Sequence, residues 1–247
     1  MYIGIPPLGV VRRDSGGAFS PNILSNLALW TDASNSSSLT IDINNNVSQW
    51  NDLSGNGRHI SQATTTKRPA YVASALNSKP GLTFDGVDDI LVNTSATGVA
   101  NCSIFSVLKV NSASTTNDQL FINIGGFAAN GKLRSMIQPS SLTFTFGVYF
   151  GGYSATAFNM DPTGAFHAFG IVQSGTNVTM MRDSSSQNGT CSITPLTTTD
   201  NNWSIGGYNN NFYGSATICE VIIYSKALSA SESSSIKSYL KAKWGTP

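Results

Sequence analysis

LWTDASNSSSLTIDINNNVSQWNDLSGNGRHI (29–60) decides the fold. Short apolar–polar alternations in it are separated by clusters of Asn, Ser and Gly. Leu27, Leu29 and Thr31 alternate with Ala28, Trp30 and Asp32, the period-two spacing of a strand. Asn44, Asn45 and Asn46 mark a turn, and Val47–Trp50 begins the next strand. LSGNGR (53–58) carries the residues that tolerate positive φ and reads as a tight loop. Downstream, GLTFDGVDDIL (81–91) gives two more strand pieces, Gly81–Phe84 and Ile90–Val92, around an Asp-Gly turn.

The same grammar runs through the rest of the chain. Ser103–Val110 is an apolar run of strand length, and Leu120–Ile124 follows it. Asn130-Gly131 is a hairpin signal. Leu142, Phe144, Phe146, Val148 and Phe150 share one face at period two, opposite Thr143 and Thr145. His167–Val172 and Val178–Arg182 flank a Ser-Gly-Thr-Asn turn, and Trp203–Gly206 and Thr217–Tyr224 complete the strands. One segment alone reads as a helix. Ser229 and Glu232 form a capping box, and Ile236, Tyr239, Leu240 and Trp244 fall on one face before Gly245 and Pro247. About a dozen strands with turn signals at short intervals predict an all-β, two-sheet antiparallel sandwich, with the C-terminal helix sealing one end.

Residues 1–20 are predicted to be an extended N-terminal arm, and 21–247 the sandwich domain. Pro6 and Pro7 oppose helix there, and Gly16-Gly17 makes a joint. Yet Tyr2, Ile3, Ile5, Leu8, Val10 and Val11 are apolar, an unusual composition for a tail left in solvent. Such an arm either lies along its own domain or docks on a neighbouring subunit.

Composition excludes several classes of function. Of 247 residues, 40% are hydrophobic and 11% charged, the opposite of a disordered chain. A net charge of +1 gives no electrostatic footprint for nucleic acid or anionic membrane. No apolar run reaches the roughly 18 residues of a membrane-spanning helix. Arg12 and Arg13 follow the N-terminal apolar run instead of preceding it, unlike a signal peptide. Cys102, Cys191 and Cys219 have no CxxC spacing and read as buried reduced thiols, with one bridge plus a leftover thiol as the alternative.

Glycoside hydrolysis needs two carboxyl groups flanking the scissile bond. The chain has two glutamates, Glu220 and Glu232, and the second belongs to the helix cap. His59 and His167 are the only histidines, and no Gly-x-Ser-x-Gly elbow accompanies them. The expectation is therefore a protein that is not an enzyme. Carbohydrate recognition fits better, through aromatic platforms beside planar polar side chains. Tyr208-Asn209-Asn210-Asn211-Phe212-Tyr213-Gly214 and Tyr149-Phe150-Gly151-Gly152-Tyr153 have that composition. Tyr208, Asn210, Tyr213 and Tyr153 are the candidate ligand-binding residues; the alternative is that the tyrosines cover strand ends.

The strand pattern of 29–91, together with ATICEVIIYSKALSASESSSIKSYLKAKWG (216–245), resembles laminin-G-like domains of the concanavalin A-like lectin/glucanase superfamily. The resemblance spans about 27–245 and is to versions found in phage virion and bacterial surface proteins. It implies a jelly-roll topology. It also implies a structural Ca²⁺ shared between the Asp52 turn and Glu220 on the last strand, with Cys219 where a second acid is often found. Alternatively, Asp52 and Asn56 hydrogen-bond their own turn. The FDGVDD stretch (84–89) also looks metal-like, or is a turn whose aspartates cap backbone N–H groups.

These features lead to the expectation of a non-enzymatic capsid or tail decoration protein of a phage virion. It would assemble in the host cytoplasm, attach to other virion subunits through Tyr2, Ile3, Ile5, Leu8 and Val10, and touch host surface glycan. The alternatives are an extracellular bacterial carbohydrate-binding module with no virion role, and a glycosidase with an unusual site.

Overall fold

The computed structural model describes residues 19–95, 101–114, 119–124, 132–138, 143–150, 152–158, 164–190, 203–208 and 212–247; between 132 and 158 it describes the backbone alone. The arm residues Tyr2, Ile3, Ile5, Leu8 and Val10, the Asn130-Gly131 hairpin signal and Cys191 lie outside these residues.

The strands are β1 (Leu27–Asp32), β2 (Leu39–Ile41), β3 (Val47–Trp50), β4 (Ile60–Ser61), β5 (Ala70–Leu76), β6 (Lys79–Asp85), β7 (Leu91–Asn93), β8 (Cys102–Val110) and β9 (Gln119–Ile124). Then come β10 (Lys132–Gln138), β11 (Thr143–Phe150), β12 (Gly152–Phe158), β13 (His167–Ser174), β14 (Asn177–Arg182), β15 (Ser185–Thr190), β16 (Trp203–Ile205) and β17 (Ser215–Tyr224), and finally the helix α1 (Ala230–Trp244). Eight strands form one sheet in the order β15-β14-β13-β8-β17-β6-β5, with β1 also on β17. Nine form the other, ordered β12-β11-β10-β9-β16-β7-β4-β3-β2. Every pairing between these strands is antiparallel.

The last strand organises the first sheet. Its start, Ser215–Ile218, pairs with β6, its end, Glu220–Tyr224, pairs with β1, and β8 runs along its other side. All of β17 is buried, and all of β8 except Lys109. That needs a cover on both faces of the sheet. Ile104, Leu108, Ile218, Val221 and Ile223 point into the core between the sheets, with Trp50, Phe84, Phe121 and Trp203. Phe105, Val107, Ile222 and Tyr224 point the other way, onto Ile236, Leu240 and Trp244 of α1. Strands covered on both sides read as continuous apolar runs, as CSIFSVLKV and SATICEVIIY do.

The helix thus covers a face of the eight-stranded sheet, a correction to the expectation that it seals one end of the sandwich. It does so because the outward residues Phe105, Val107, Ile222 and Tyr224 are large and apolar and need a cover of their own. Fully burying each large apolar side chain contributes about 1.5–3 kcal/mol. Its ends follow the sequence: the Ser229 hydroxyl accepts from the Glu232 N–H, the Glu232 carboxylate accepts from the Ser229 N–H at 2.9 Å, and Gly245 closes the helix at φ +67°. Cys102 and Cys219 are both buried, and the Cys102 thiol donates to Gln173 Oε1 at 3.7 Å.

Candidate functional site

The Asp52 turn and Glu220 stand where the sequence places them, but their hydrogen bonds leave no room for a shared cation. A carboxylate has about four acceptor positions. Asp52 Oδ1 accepts from the N–H groups of Trp30 (3.1 Å) and Ser54 (2.9 Å). Its Oδ2 accepts from the Ser54 hydroxyl (2.8 Å) and the Arg58 N–H (3.0 Å). Asn56 donates to Ser54 Oγ and the Leu27 carbonyl, so the turn is held by its own polar groups.

Glu220 is fully buried and equally engaged. Its Oε1 accepts from the Trp30 indole (2.7 Å) and the Tyr239 hydroxyl (2.8 Å), and its Oε2 from Lys243 Nζ (2.8 Å) and the Trp244 indole (2.5 Å). Lys243 also pairs with Asp32 at 2.5 Å. Burial pushes the Glu220 carboxyl above its ordinary range, while Lys243 and the Trp244 indole pull it back. With all four acceptor positions filled on each residue, Asp52 and Glu220 do not fit a common Ca²⁺. Trp30 links them through its backbone and its indole, and the result is a structural latch between β1, β17 and α1.

A different pair of segments converges at the other end of β17. Ser215 stands opposite Asp85 in the β6–β17 ladder, which sets Tyr213 beside the turn Asp85–Asp89. Gly86 has φ +80°, and a Cβ there would sit 2.9 Å from Ser215 Cβ, so only glycine lets the turn approach β17 this closely. On the other flank, the Tyr213 ring lies on Gly207, whose added Cβ would be 2.7 Å from Cδ1. The Leu120 N–H donates to the Phe212 carbonyl at 2.9 Å and the Gly214 N–H to the Gly206 carbonyl at 2.8 Å, anchoring Phe212 on β9 and Gly214 on the residue that follows β16.

Carboxylate oxygens of Asp85, Asp88 and Asp89 lie within 4.8 Å of one another. Asp85 Oδ1 accepts from the Val87 N–H (2.8 Å), and Asp89 Oδ2 accepts from the Asp85 N–H (3.0 Å), the turn-capping role read from the sequence. Oxygens of all three could ligate a hard cation. Asp85 is exposed, Asp88 half-buried and Asp89 buried. Burial first, then the charges of Asp85 and Asp88, raise the Asp89 carboxyl to about 7 against a pull from the Asp85 N–H. Burial and the charges of Asp88 and Asp85 likewise push the Tyr213 phenol up.

The Asp89 shift makes a pH prediction. Its folded pKa lies above its unfolded value near 3.8, so the folded state holds this proton more tightly. The resulting stability is full below about pH 4 and is lost as pH rises through 7. Asp89→Asn keeps an acceptor for the Asp85 N–H and removes the charge. Urea unfolding is expected to show the wild type losing stability from pH 4 to 7 more steeply than the variant; parallel pH profiles would refute the assignment.

The half-buried Tyr213 ring, the exposed Val87 and the Asp85 and Asp88 carboxylates thus share one rim. An aromatic ring offers a face for the C–H surface of a sugar, and carboxylates accept from its hydroxyls. Among the other candidates, Tyr208 is 4% exposed and packs with Leu120 and Phe212, a correction to its reading as an open platform. Its ring is needed to close the core beneath the Phe212 loop. Asn210 lies outside the described residues. Tyr153 stands opposite Tyr149 where β11 and β12 pair, on a hairpin described by its backbone. Sequence reading named Tyr213 and the FDGVDD turn separately and missed that they meet; the turn chemistry of both was visible, the pairing of β6 with β17 was not.

His167 is no free base: its Nδ1 contacts Asp183 Oδ2 at 2.6 Å and Arg182 Nη2 lies 2.8 Å from its Nε2. His59 Nδ1 accepts from the Asp52 N–H at 3.0 Å, which ties it to the turn.

No family model and no curated protein matches the chain. Solved structures do. A Trypanosoma rangeli sialidase in complex with sialic acid aligns over 90% of this chain and 34% of its own, at 15% identity and a TM-score of 0.59. The Botulinum neurotoxin serotype D binding domain aligns over 90% of this chain and 54% of its own, at 12% identity and a TM-score of 0.61. The serotype D ligand-binding domain in complex with N-acetylneuraminic acid gives 14% identity and 0.63 over the same shares. The chain therefore spans about a third of the sialidase and about half of the neurotoxin domain, and the likeness is one of fold.

Proposed function

We propose that this chain is a non-enzymatic glycan-binding β-sandwich of the laminin-G-like type, carried on a phage virion as a capsid or tail decoration, with the N-terminal arm as its attachment. The observation that carries the binding reading is the Tyr213 ring set beside the Asp85–Asp89 turn at one rim. A neurotoxin ligand-binding domain that was solved in complex with N-acetylneuraminic acid contains a sandwich of the same fold, which supports a glycan as the class of ligand. Against catalysis stands the state of the described acids. Glu220 and Asp52 are saturated by donors, and Asp85, Asp88 and Asp89 crowd on a single turn instead of facing each other across a cleft.

The charge of the rim selects the ligand. Two like charges about 4 Å apart repel by about 4 kcal/mol at an effective dielectric of about 20. A sugar carboxylate is disfavoured beside Asp85 and Asp88, and a neutral glycan with adjacent hydroxyls is preferred. The test is a panel of immobilised neutral and sialylated oligosaccharides. The protein is expected to retain neutral glycans, and Tyr213→Ala to weaken the best by at least about tenfold, or about 1.4 kcal/mol. Retention of no glycan, or retention unchanged by Tyr213→Ala, would sink the reading. Particle placement is tested separately, by whether the chain co-purifies with intact virions at a fixed stoichiometry.

A further inference from the structure

Within the latch, one ammonium lies between two carboxylates. Asp32 and Glu220 stand directly opposite each other in the β1–β17 ladder. Lys243 Nζ, from the last turn of α1, lies 2.5 Å from Asp32 Oδ2 and 2.8 Å from Glu220 Oε2. Glu220 has no exposed side-chain surface, and Asp32 and Lys243 keep 9% and 16%, so little bulk water reaches the group. The Tyr239 and Trp244 rings flank the ammonium. An ion pair needs a single carboxylate. A second buried one on the same nitrogen adds a desolvation cost that a purely structural pair does not require.

The Asp32 carboxyl is also polarised from its far side. Its Oδ1 accepts from the Ser34 N–H at 2.9 Å and from the Ser34 hydroxyl at 2.7 Å. Two donors on one oxygen stabilise the charge that develops there when a nucleophile adds to the carboxyl carbon Cγ. The contact between Nζ and Oδ2 sets a nitrogen beside that carbon. Groups held in such contact react with effective molarities of about 10⁵–10⁸ M.

We infer that Lys243 and Asp32 condense after folding into an intramolecular amide bond, with Glu220 carrying a proton between them. The step balances. One proton passes from the Lys243 ammonium directly to Asp32 Oδ2. The Nζ–Cγ bond then forms, and Oδ1 takes the carbonyl electron pair against the Ser34 donors. A second proton passes from Nζ to Glu220 Oε2 and on to Oδ2. The Cγ–Oδ2 bond breaks, Oδ2 leaves as water, and Oδ1 becomes the amide carbonyl. Glu220 ends as it began, and no oxidant or cofactor enters. Burial holds its carboxyl above the ordinary range, which suits a group that takes and returns a proton. Lys243 and Tyr239 also line a cavity of about 580 Å³ on the outer side of α1, a way out for the water. The bond ties β1 to α1 and closes the chain between 32 and 243 into a ring, which constrains the unfolded state. Unlike a disulfide, it is indifferent to reducing agents. This inference does not depend on glycan binding.

The intact mass of the full-length chain, denatured and reduced, tests it. The native chain is expected to be lighter than its sequence by one water molecule. Lys243→Arg keeps a cation for both carboxylates, forms no such amide, and is expected to have its full mass. Proteolysis of the native chain is expected to give a product in which the peptide holding Asp32 is joined to the peptide holding Lys243. Glu220→Gln is expected to close at least about a hundredfold more slowly, the loss of a general acid–base. The native and Lys243→Arg chains decide the matter even where Glu220→Gln fails to fold. A native chain of full sequence mass after a week at neutral pH would overturn the proposal. So would a loss of water placed at Asp85-Gly86, where an aspartate can close on the next backbone N–H, or a bridge that forms as fast in Glu220→Gln.

Discussion

Glu220→Gln is expected to cost about 3–5 kcal/mol in urea unfolding, the range for breaking a buried ion pair by removing one partner. Glu220 sits on β17 with no exposed surface, and its four donors come from two other elements: Trp30 on β1, and Tyr239, Lys243 and Trp244 on α1. A glutamine offers one oxygen with two acceptor positions and turns two N–H groups toward donors. Lys243 then keeps Asp32 alone. Lys243→Met should cost a similar amount, by leaving Glu220 charged and buried without its cation. The double variant should cost clearly less than the sum, because each change removes the other's stranded charge. A loss under about 1 kcal/mol from Glu220→Gln would show that the latch contributes little and that α1 is held by Ile236, Leu240 and Trp244 packing alone.

Gly206→Ala is the second large effect, expected at about 2–5 kcal/mol from overpacking and backbone strain together. Gly206 has φ +91°, and a Cβ there would lie 2.0 Å from Cδ1 of Phe84. Phe84 is fully buried in the core between the sheets and cannot retreat. Gly206 also receives the Gly214 N–H and donates to Phe121, so a shift there reaches Tyr213. Phe84→Leu in the alanine background should recover the part due to collision but not the part due to φ. A Gly206→Ala protein as stable as wild type would mean that this corner is looser than the close approach implies.

The sandwich was legible because its determinants are local. Alternation at 27–32, asparagine and glycine turns, and the Ser229–Glu232 box each act within a few residues. The covering of the eight-stranded sheet by α1 was also implicit, in the unbroken apolar runs of β8 and β17, but those runs read equally well as strands buried by any neighbour. The site was less legible. Asp52 and Asn56 form a turn whose sequence suits a cation as well as it suits its own hydrogen bonds. The arrival of Trp30 at Asp52 and of the α1 donors at Glu220, which fills their acceptor positions, is a long-range matter. Tyr208 and Tyr213 share one loop and look alike in sequence. That one is buried against Leu120 and the other faces the Asp85 turn follows from the pairing of β6, β16 and β17, which no local pattern encodes.

The central claim is that a neutral glycan binds where Tyr213 meets the Asp85–Asp89 turn. Its most direct measurement is a titration of the isotope-labelled protein with the best neutral oligosaccharide of the panel, followed through its backbone amide resonances. The account predicts that the largest shifts fall on residues 85–89 and 212–214, and that sialylated analogues leave those resonances in place. Shifts centred on the Asp52 turn or on α1, or none at saturating sugar, would contradict it.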